Sequence, residues 1–401
     1  FYVTAGATID GFTITGGNAS DYGGGGMYIY GADAIINRCT FTENSASFIG
    51  GAIHMNGSPT ISRPTISNSV FINNSTTNRA GAIGSYRSAP QIEGCIFTSN
   101  QSSQGGAIYL QDSAASPSIA NCLFQGNRAS QGGALYLDEY SEQYPMLVVM
   151  NCTFADNRGG LGGAIAASYS DASFSNCIFW NDGTIATSGP EIYAWGSGAP
   201  TVTFCDVEGS YSGTGNLNAN PSFIAQGYWD DNGTPSDTAD DTFVPGDYRI
   251  SGSSPCIDTA TATGAPAIDL EGTLRPQGSG YDIGAYEYIE EPDIAIDPSS
   301  LSFSVVSGET SAPQIITIAN TGALDLVISD ISIDDTVRYT LTTADTLPIT
   351  LAMGATTDIS VVFSPDAIAD FDATITITSN DPDESILEIP VAGQGIAPVQ
   401  Y

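Results

Sequence analysis

The segment NCTFADNRGGLGGAI (residues 151–165) is one copy of a phrase that recurs as NCLFQGNRASQGGAL (121–135), GCIFTSNQSSQGGAI (94–108), NSVFINNSTTNRAGAI (68–83) and RCTFTENSASFIGGAI (38–53). Internal repetition at this period dictates the architecture before any local propensity does. From Phe41, Phe71, Phe97, Phe124 and Phe154 the asparagine is always three residues on, at Asn44, Asn74, Asn100, Asn127 and Asn157, and the second glycine follows at nine or ten. Successive phenylalanines lie 30, 26, 27 and 30 residues apart, with Phe179 another 25 on. Short apolar alternations at such a period predict the strands of a parallel β-solenoid, whose coils stack and bury one continuous interior. Length variation then falls in one loop per coil.

Alternate side chains of a strand point the same way, so Cys152 and Phe154 are expected inside, with Ala164 or Ile165 inside on the next face. Stacked coils turn each position into a ladder. Asparagine at the corner is expected to take the left-handed conformation and hydrogen-bond the neighbouring coil, and glycine to take corners that other residues cannot. Cys39, Cys95, Cys122, Cys152, Cys177 and Cys205 share one coil position, with Ser69 replacing one of them. In-register strands hold their Cβ vectors side by side rather than facing, so buried free thiols acting as small apolar fillers are the preferred reading over disulfides. Nothing resembles a C-x-x-C metal site. Two departures stand out: Ala80 replaces the first glycine of one pair, and FWND at 179–182 loses the asparagine register, so the ladder is expected to end there.

The tandem FxxN and GGA[ILV] motifs resemble those of the polymorphic outer-membrane proteins and related bacterial right-handed β-helix proteins, over roughly residues 1–200. The resemblance implies a right-handed parallel β-helix and a surface protein, many such proteins being adhesins or passenger domains. No translocator barrel follows in this sequence, so an autotransporter route is not expected. From about residue 204, WDDNGTPSDTADDTFVPGDYRISGSSPCIDTA and DLEGTLRPQGSGYDIGAYEY resemble the choice-of-anchor Q segment of secreted β-helix proteins, read as the last irregular coils and their cap. Asp230, Asp231, Asn232 and Asp237 bunch oxygens around Gly233 and offer a calcium site, with a solvated acidic turn as the alternative. Arg275 among Asp258, Asp269, Asp282 and Glu287 is read as a structural ion pair.

A polar linker at YIEEPDIAIDPSS divides the chain into residues 1–290 and 293–401. Beyond it, Leu301, Phe303 and Val305 alternate, as do Leu324, Leu326 and Ile328, then Ile359, Val361 and Phe363, Ile375 and Ile377, and Leu387, Ile389 and Val391. About seven half-buried strands make an immunoglobulin-like β-sandwich. ITIANTGALDLVISDISI and TITSNDPDESILEIPVAGQG resemble choice-of-anchor D and hydin-like modules, which serve as spacers or assembly domains.

Charge narrows the partners. The 44 acidic residues face nine arginines and no lysine, a formal net charge of -35, which repels nucleic acid and anionic membranes. No apolar run approaches the ~20 residues of a bilayer span, so membrane insertion is not expected. Phe1 follows no basic or apolar leader and reads as a processed or trimmed start inside a repeat, leaving a first coil without a cap. Catalysis is not expected: His54 is the single histidine and sits beside GGAI as an ordinary coil residue. Arg79, Arg128 and Arg158 follow their asparagines and are read as a surface line or a corner ladder.

The preferred reading is an extracellular or cell-surface structural protein that self-associates head to tail into filaments, with no cofactor besides calcium. The alternative is an adhesin that binds surface glycans through Tyr28, Tyr30, Tyr86, Tyr109, Tyr136, Tyr140, Tyr144 and Tyr169, an aromatic row that stacks on sugars. A polysaccharide lyase or hydrolase comes last. The sequons at Asn18, Asn56, Asn73, Asn74 and Asn100 are candidate glycosylation sites.

Overall fold

The structure is a computed structural model that describes the chain except residues 22, 59–60, 113–115, 140–145, 185–190, 236, 239 and 399–401. It is all β, with no helix among the described residues, and divides into two compact units, Phe1–Tyr288 and Ile289–Tyr401.

Three parallel sheets of eight strands each run through the first unit. One coil illustrates the rule: Ile35–Asn37 lies in the second sheet, Thr40–Thr42 in the third, Ser45–Ala46 in a short corner strand and Ile53–Asn56 in the first. Each pairs in register with its counterpart in the next coil, as Phe41 does with Phe71 and Phe71 with Phe97. This is a parallel β-helix. Phe41, Phe71, Phe97, Phe124, Phe154 and Phe179 are fully buried and stack face to face with centroids 5.0, 4.8, 4.7, 4.6 and 4.9 Å apart. Burying one such ring is worth roughly 1.5–3 kcal/mol, and each stacked pair about 0.5–1.5 kcal/mol more.

Beside this stack runs the asparagine ladder, also fully buried. Asn100 Oδ1 accepts both the backbone N–H and the side-chain amide of Asn74, each at 3.0 Å. Asn100 Nδ2 in turn donates to Phe71 O at 2.9 Å and to Asn127 Oδ1 at 3.0 Å. The same pattern links Asn44 to Asn74 and Asn127 to Asn157. An interior amide is tolerated because every one of its donors and acceptors is used.

Three expectations change here. The left-handed corner residue is the one before the ladder asparagine: Glu43, Asn73, Ser99, Gly126 and Asp156 have φ of 55°, 54°, 56°, 58° and 57°. The asparagine itself turns inward, since its side chain is needed in the ladder. The ladder does not stop at FWND either, because Asp182 stands three residues after Phe179 and its Oδ1 accepts Asn157 N at 2.7 Å and Asn157 Nδ2 at 2.8 Å. In the glycine pair the first member takes φ of 67° at Gly50, and Ala80 adopts 55° in its place. The second member is excluded from having a side chain by its neighbour: a Cβ on Gly106 would lie 2.0 Å from Gly133 O.

The thiols of Cys39, Cys95, Cys122, Cys152, Cys177, Cys205 and Cys256 are all buried and free. Cys122 N lies 3.4 Å from Cys152 Sγ, and Cys177 N lies 3.3 Å from Cys205 Sγ. Burial pushes the Cys95, Cys122, Cys152 and Cys205 thiols well up, which keeps them neutral and unreactive.

The segment expected to cap the coils does something else. The last coil closes with Thr201–Thr203 and Asp206–Val207, and Asp206 bridges to Leu217. The chain then runs back along the outer face of the solenoid. Asn121 Nδ2 donates to Ile268 O, Gly284 N to Asn176 O, and Ala285 N to Thr153 Oγ1. Leu123, Ala155, Tyr248, Ala285 and Tyr286 form a second apolar cluster beneath this layer. Outward side chains that a solenoid normally leaves wet, such as Leu123 and Ile178, are apolar for this reason. Arg275 pairs with Glu287 inside the layer, both side chains being essentially unexposed, and Glu287 N donates to Asp269 Oδ2.

The second unit is a β-sandwich. A four-stranded sheet of Ile294–Asp297, Gln314–Asn320, Thr356–Phe363 and Tyr339–Thr343 faces a five-stranded one of Leu301–Val306, Ile386–Ile396, Ala373–Ser379, Leu326–Ile333 and Ile349–Leu351. Ile359, Val361, Phe363, Ile375, Ile377 and Ile389 are fully buried. These nine described strands exceed the expected seven, because Ile349–Leu351 and Ile294–Asp297 are too short to show an alternation. Leu324 falls outside its strand and is 46% exposed.

Candidate functional site

Two faces of the first unit gather aromatic and polar side chains. The first is the outer surface of the first sheet. Strand alternation sends Ile53 and Met55 inward and the residues between them outward, so the coils build columns of outward side chains. One column reads Tyr2, Tyr28, His54, Gly84, Tyr109, Tyr136, Ala166 and Tyr193. The next reads Tyr30, Asn56, Tyr86, Gln111, Asp138, Ser168 and Trp195. Tyr28 stacks on Tyr2 at 5.4 Å and on Tyr30 at 6.2 Å, and meets His54 at 4.9 Å with the rings tilted by 51°. Tyr2, Tyr28 and Tyr30 wall a hollow of about 600 Å³ lined also by Asn18, Ser20 and Asp21.

The row is not continuous. Tyr109 and Tyr136 stack at 5.3 Å but are buried with Ile49 and Ala80, and the Arg79 guanidinium lies 5.0 Å over the Tyr109 ring. Tyr109 donates to Asp138 Oδ2 at 2.6 Å. Burial, then the negative charges of Asp171 and Asp112, push the Glu139 carboxyl up to about 7. Tyr169 has φ of 53° and stands exposed past its strand, and Tyr140 and Tyr144 lie outside the described residues.

The second face was not legible in the sequence. Arg128 and Arg158 sit in register on adjacent corner strands, Arg128–Gln131 and Arg158–Leu161. Arg79 does not join them, since it aligns with Gln104 on the glycine side of the corner, which breaks the expected arginine line. Above the pair lies an antiparallel hairpin of the outer layer, Tyr228–Asp230 with Thr242–Val244. It approaches so closely because residue 126 is glycine, where a Cβ would sit 2.1 Å from the Phe243 ring. The hairpin presents Trp229, whose indole Nε1 donates to Asp156 O at 2.8 Å and whose face carries the Arg158 guanidinium at 4.3 Å. Arg158 also pairs with Asp241, and Arg128 donates to Thr238.

Trp229 therefore stands fixed between two cavities. One, of about 380 Å³, is lined by Asn73, Ser99, Gln101, Arg128, Trp229 and Phe243 among others. The other, of about 430 Å³, is lined by Asp156, Arg158, Asn181, Tyr228 and Trp229. Asp156 is 2% exposed and accepts from Tyr248 Oη at 2.5 Å and from Asn181 Nδ2. Burial pushes its carboxyl up. The ring is braced by the Arg158 guanidinium and by Phe243, whose centroid lies 5.3 Å away, and it borders both voids. The sequence holds one trace of this cleft, glycine at a corner where other coils carry Glu43, Asn73, Ser99 or Asp156, but nothing in the sequence ties Gly126 to Trp229.

The remaining expected site residues separate. The Asp230 and Asp231 carboxylates accept the N–H groups of Asn232 and Gly233, and Asp237 is exposed. These acids do not converge. Among the described residues the convergent acidic group is Asp293, Asp381 and Glu384, in the other unit. The proposed glycosylation of Asn74 and Asn100 is corrected, because both amides are fully buried in the ladder with their donors in use. Asn18 and Asn73 are exposed, and Asn56 is half-buried with its amide donating to Tyr28 Oη.

Residues 2–144 match the family model described as "Right handed beta helix region", and residues 292–392 match that of the "HYDIN/CFA65/VesB-like, Ig-like domain". The chain thus joins a right-handed parallel β-helix to an immunoglobulin-like domain, an architecture that suggests a secreted or surface protein. Nothing among curated proteins matches it. Solved structures similar to it include a protein of unknown function from Porphyromonas gingivalis W83, with 21% identity over 26% of this chain and 47% of that one at a TM-score of 0.23. A PapD-like domain of human CEP192 shares 15% identity over 31% of this chain and 99% of its own, at 0.22. The secreted serine protease VesC of Vibrio cholerae shares 13% over 25% and 22%, at 0.21. The chain spans less than half of the Porphyromonas protein.

Proposed function

We propose that this is a secreted or surface protein that binds neutral polysaccharide on its β-helix without cleaving it. The observation that carries this reading is Trp229, fixed by the Asp156 carbonyl between two polar-edged cavities. The exposed Tyr2 and Tyr30 with the half-buried Tyr28 between them supply a second stacking surface. The formal charge of -35 favours a neutral chain over an acidic one, since a polyanion would be repelled at long range.

Titrating the folded protein with neutral oligosaccharides while following tryptophan fluorescence tests the reading. Trp229→Ala should weaken binding at least about 30-fold, the size expected for a central aromatic anchor. Tyr28→Ala should weaken it by about 3- to 10-fold, the loss of one stacking contact. Absence of saturable binding across a panel of neutral glycans, with the protein folded, would overturn the proposal. Release of new reducing ends would make it an enzyme. Regular fibres by negative-stain electron microscopy, without glycan binding, would turn the reading back to a self-associating filament subunit.

A further inference from the structure

The asparagine ladder ends on an acid, and the geometry of that last rung is unusual. Asp182 is 3% exposed and Glu191 is 5% exposed. Asp182 Oδ1 is occupied by its two bonds from Asn157. Glu191 Oε1 accepts Asp182 N at 3.2 Å. The other oxygen of each carboxyl, Asp182 Oδ2 and Glu191 Oε2, is buried with no hydrogen-bond donor. Two ionised carboxylates cannot be left so in a dry site, where an unpaired buried charge is strongly disfavoured.

We propose that Asp182 and Glu191 share one proton, and that this proton latches the closing corner of the β-helix beneath the Trp229 cleft. The proton turns one carboxyl into a donor, giving Oδ2 and Oε2 the partner each lacks. The charged groups facing the pair make retention easier. Asp156 faces it from the preceding coil and Glu208 from the following one, while Tyr248 faces it from the outer layer. Burial raises both carboxyls well above their ordinary values; at Asp182 it outweighs the lowering bonds from Asn157, and at Glu191 it is reinforced by Asp182 and then by Glu208. Asn181 and Gly183, which flank Asp182, line the cavity beside Trp229 and Arg158. Loss of the proton would place two like charges in the corner and loosen the wall of that cavity.

The sign follows from the raised values. The native state binds this proton more tightly than the unfolded chain, so the stabilisation is complete at pH below the ordinary carboxyl range and is lost as pH rises through the native value.

Its test uses the intact chain and Asp182→Asn, which places at this rung the residue that the other rungs carry. In urea unfolding, the stability of the variant relative to the wild type should rise at least about tenfold in equilibrium constant between about pH 5 and pH 9, one pKa unit of coupling being tenfold. Glu191→Gln should behave alike. The infrared spectrum at neutral pH should contain a protonated-carboxyl band that Asp182→Asn removes. Parallel stability curves, or no such band, would overturn the proposal. So would loss of wild-type stability on chelation at neutral pH that Asp182→Asn does not share, since a metal ion would then fill the place of the proton.

Discussion

The two units of this chain are both all-β, yet they secure their cores by opposite means. In the β-helix each buried residue meets its own equivalent in the coils before and after it, as Phe97 meets Phe71 and Phe124. In the sandwich the buried residues meet partners that are not repeats of themselves, as Ile377 pairs across to Ile331 on one neighbouring strand and Leu387 on the other. A repeated ladder is quasi-one-dimensional, so a fault at one rung is felt first by its two neighbours. A sandwich has a single shared core, and a fault there is felt by both sheets at once.

Breaking a rung should give the largest effect. Asn100→Ala leaves Asn74 N without its acceptor, takes one of the two acceptors of Asn74 Nδ2, which keeps Phe41 O, and removes the side-chain donor of Phe71 O. At about 1–3 kcal/mol for each orphaned group, the first unit should lose about 4 kcal/mol or more, measurable by urea unfolding. Hydrogen exchange should rise most at the coils bearing Asn74 and Asn127 and little in the sandwich.

Ile377→Ala makes the complementary cut. The side chain is fully buried in the sandwich, and its truncation should cost roughly 2–5 kcal/mol. Exchange should rise across both sheets of that unit, without the two-neighbour pattern. An equally local response in both variants would remove the contrast between the units.

The smallest effect sharpens the comparison at a single corner. Ala80 holds φ of 55° where the other coils have glycine. Ala80→Gly relieves a left-handed strain of roughly 1–2 kcal/mol and loses the burial of one methyl, about 0.8 kcal/mol. A net gain of under about 1 kcal/mol in the first unit is expected by thermal unfolding. A clear loss would mean that Ala80 matters more through its contacts with Ile49 and Tyr109 than through its backbone.

Much of this was legible because ladders are written in the sequence. The FxxN spacing located the stacked rings and the buried amides, and the glycine pair located the corner where backbones touch. What misled was the assumption that asparagine itself turns the chain. Glu43, Ser99 and Asp156 share no side-chain character, so the left-handed corner before the asparagine leaves no signature. Asp182 was missed because its role is positional, three residues after Phe179, while its type differs from the other rungs. The aromatic row was half legible: Tyr28 and Tyr30 form a platform, whereas Ile49 and Arg79 fold over Tyr109 and Tyr136 from another part of the coil.

By itself the sequence determined the parallel β-helix, its register and its interior, since each residue there is chosen by its equivalent one coil away and the period exposes the choice. It also determined the sandwich strands that alternate inside and out. Only the tertiary structure decided where residues 223–288 go. Their return over the third sheet rests on contacts such as Phe243 against Gly126 and Trp229 with Asp156, more than 70 residues apart in the chain and repeated nowhere. No period records such a meeting, and so the cleft at Trp229 and the acid pair beneath it came into view only when the chain was folded.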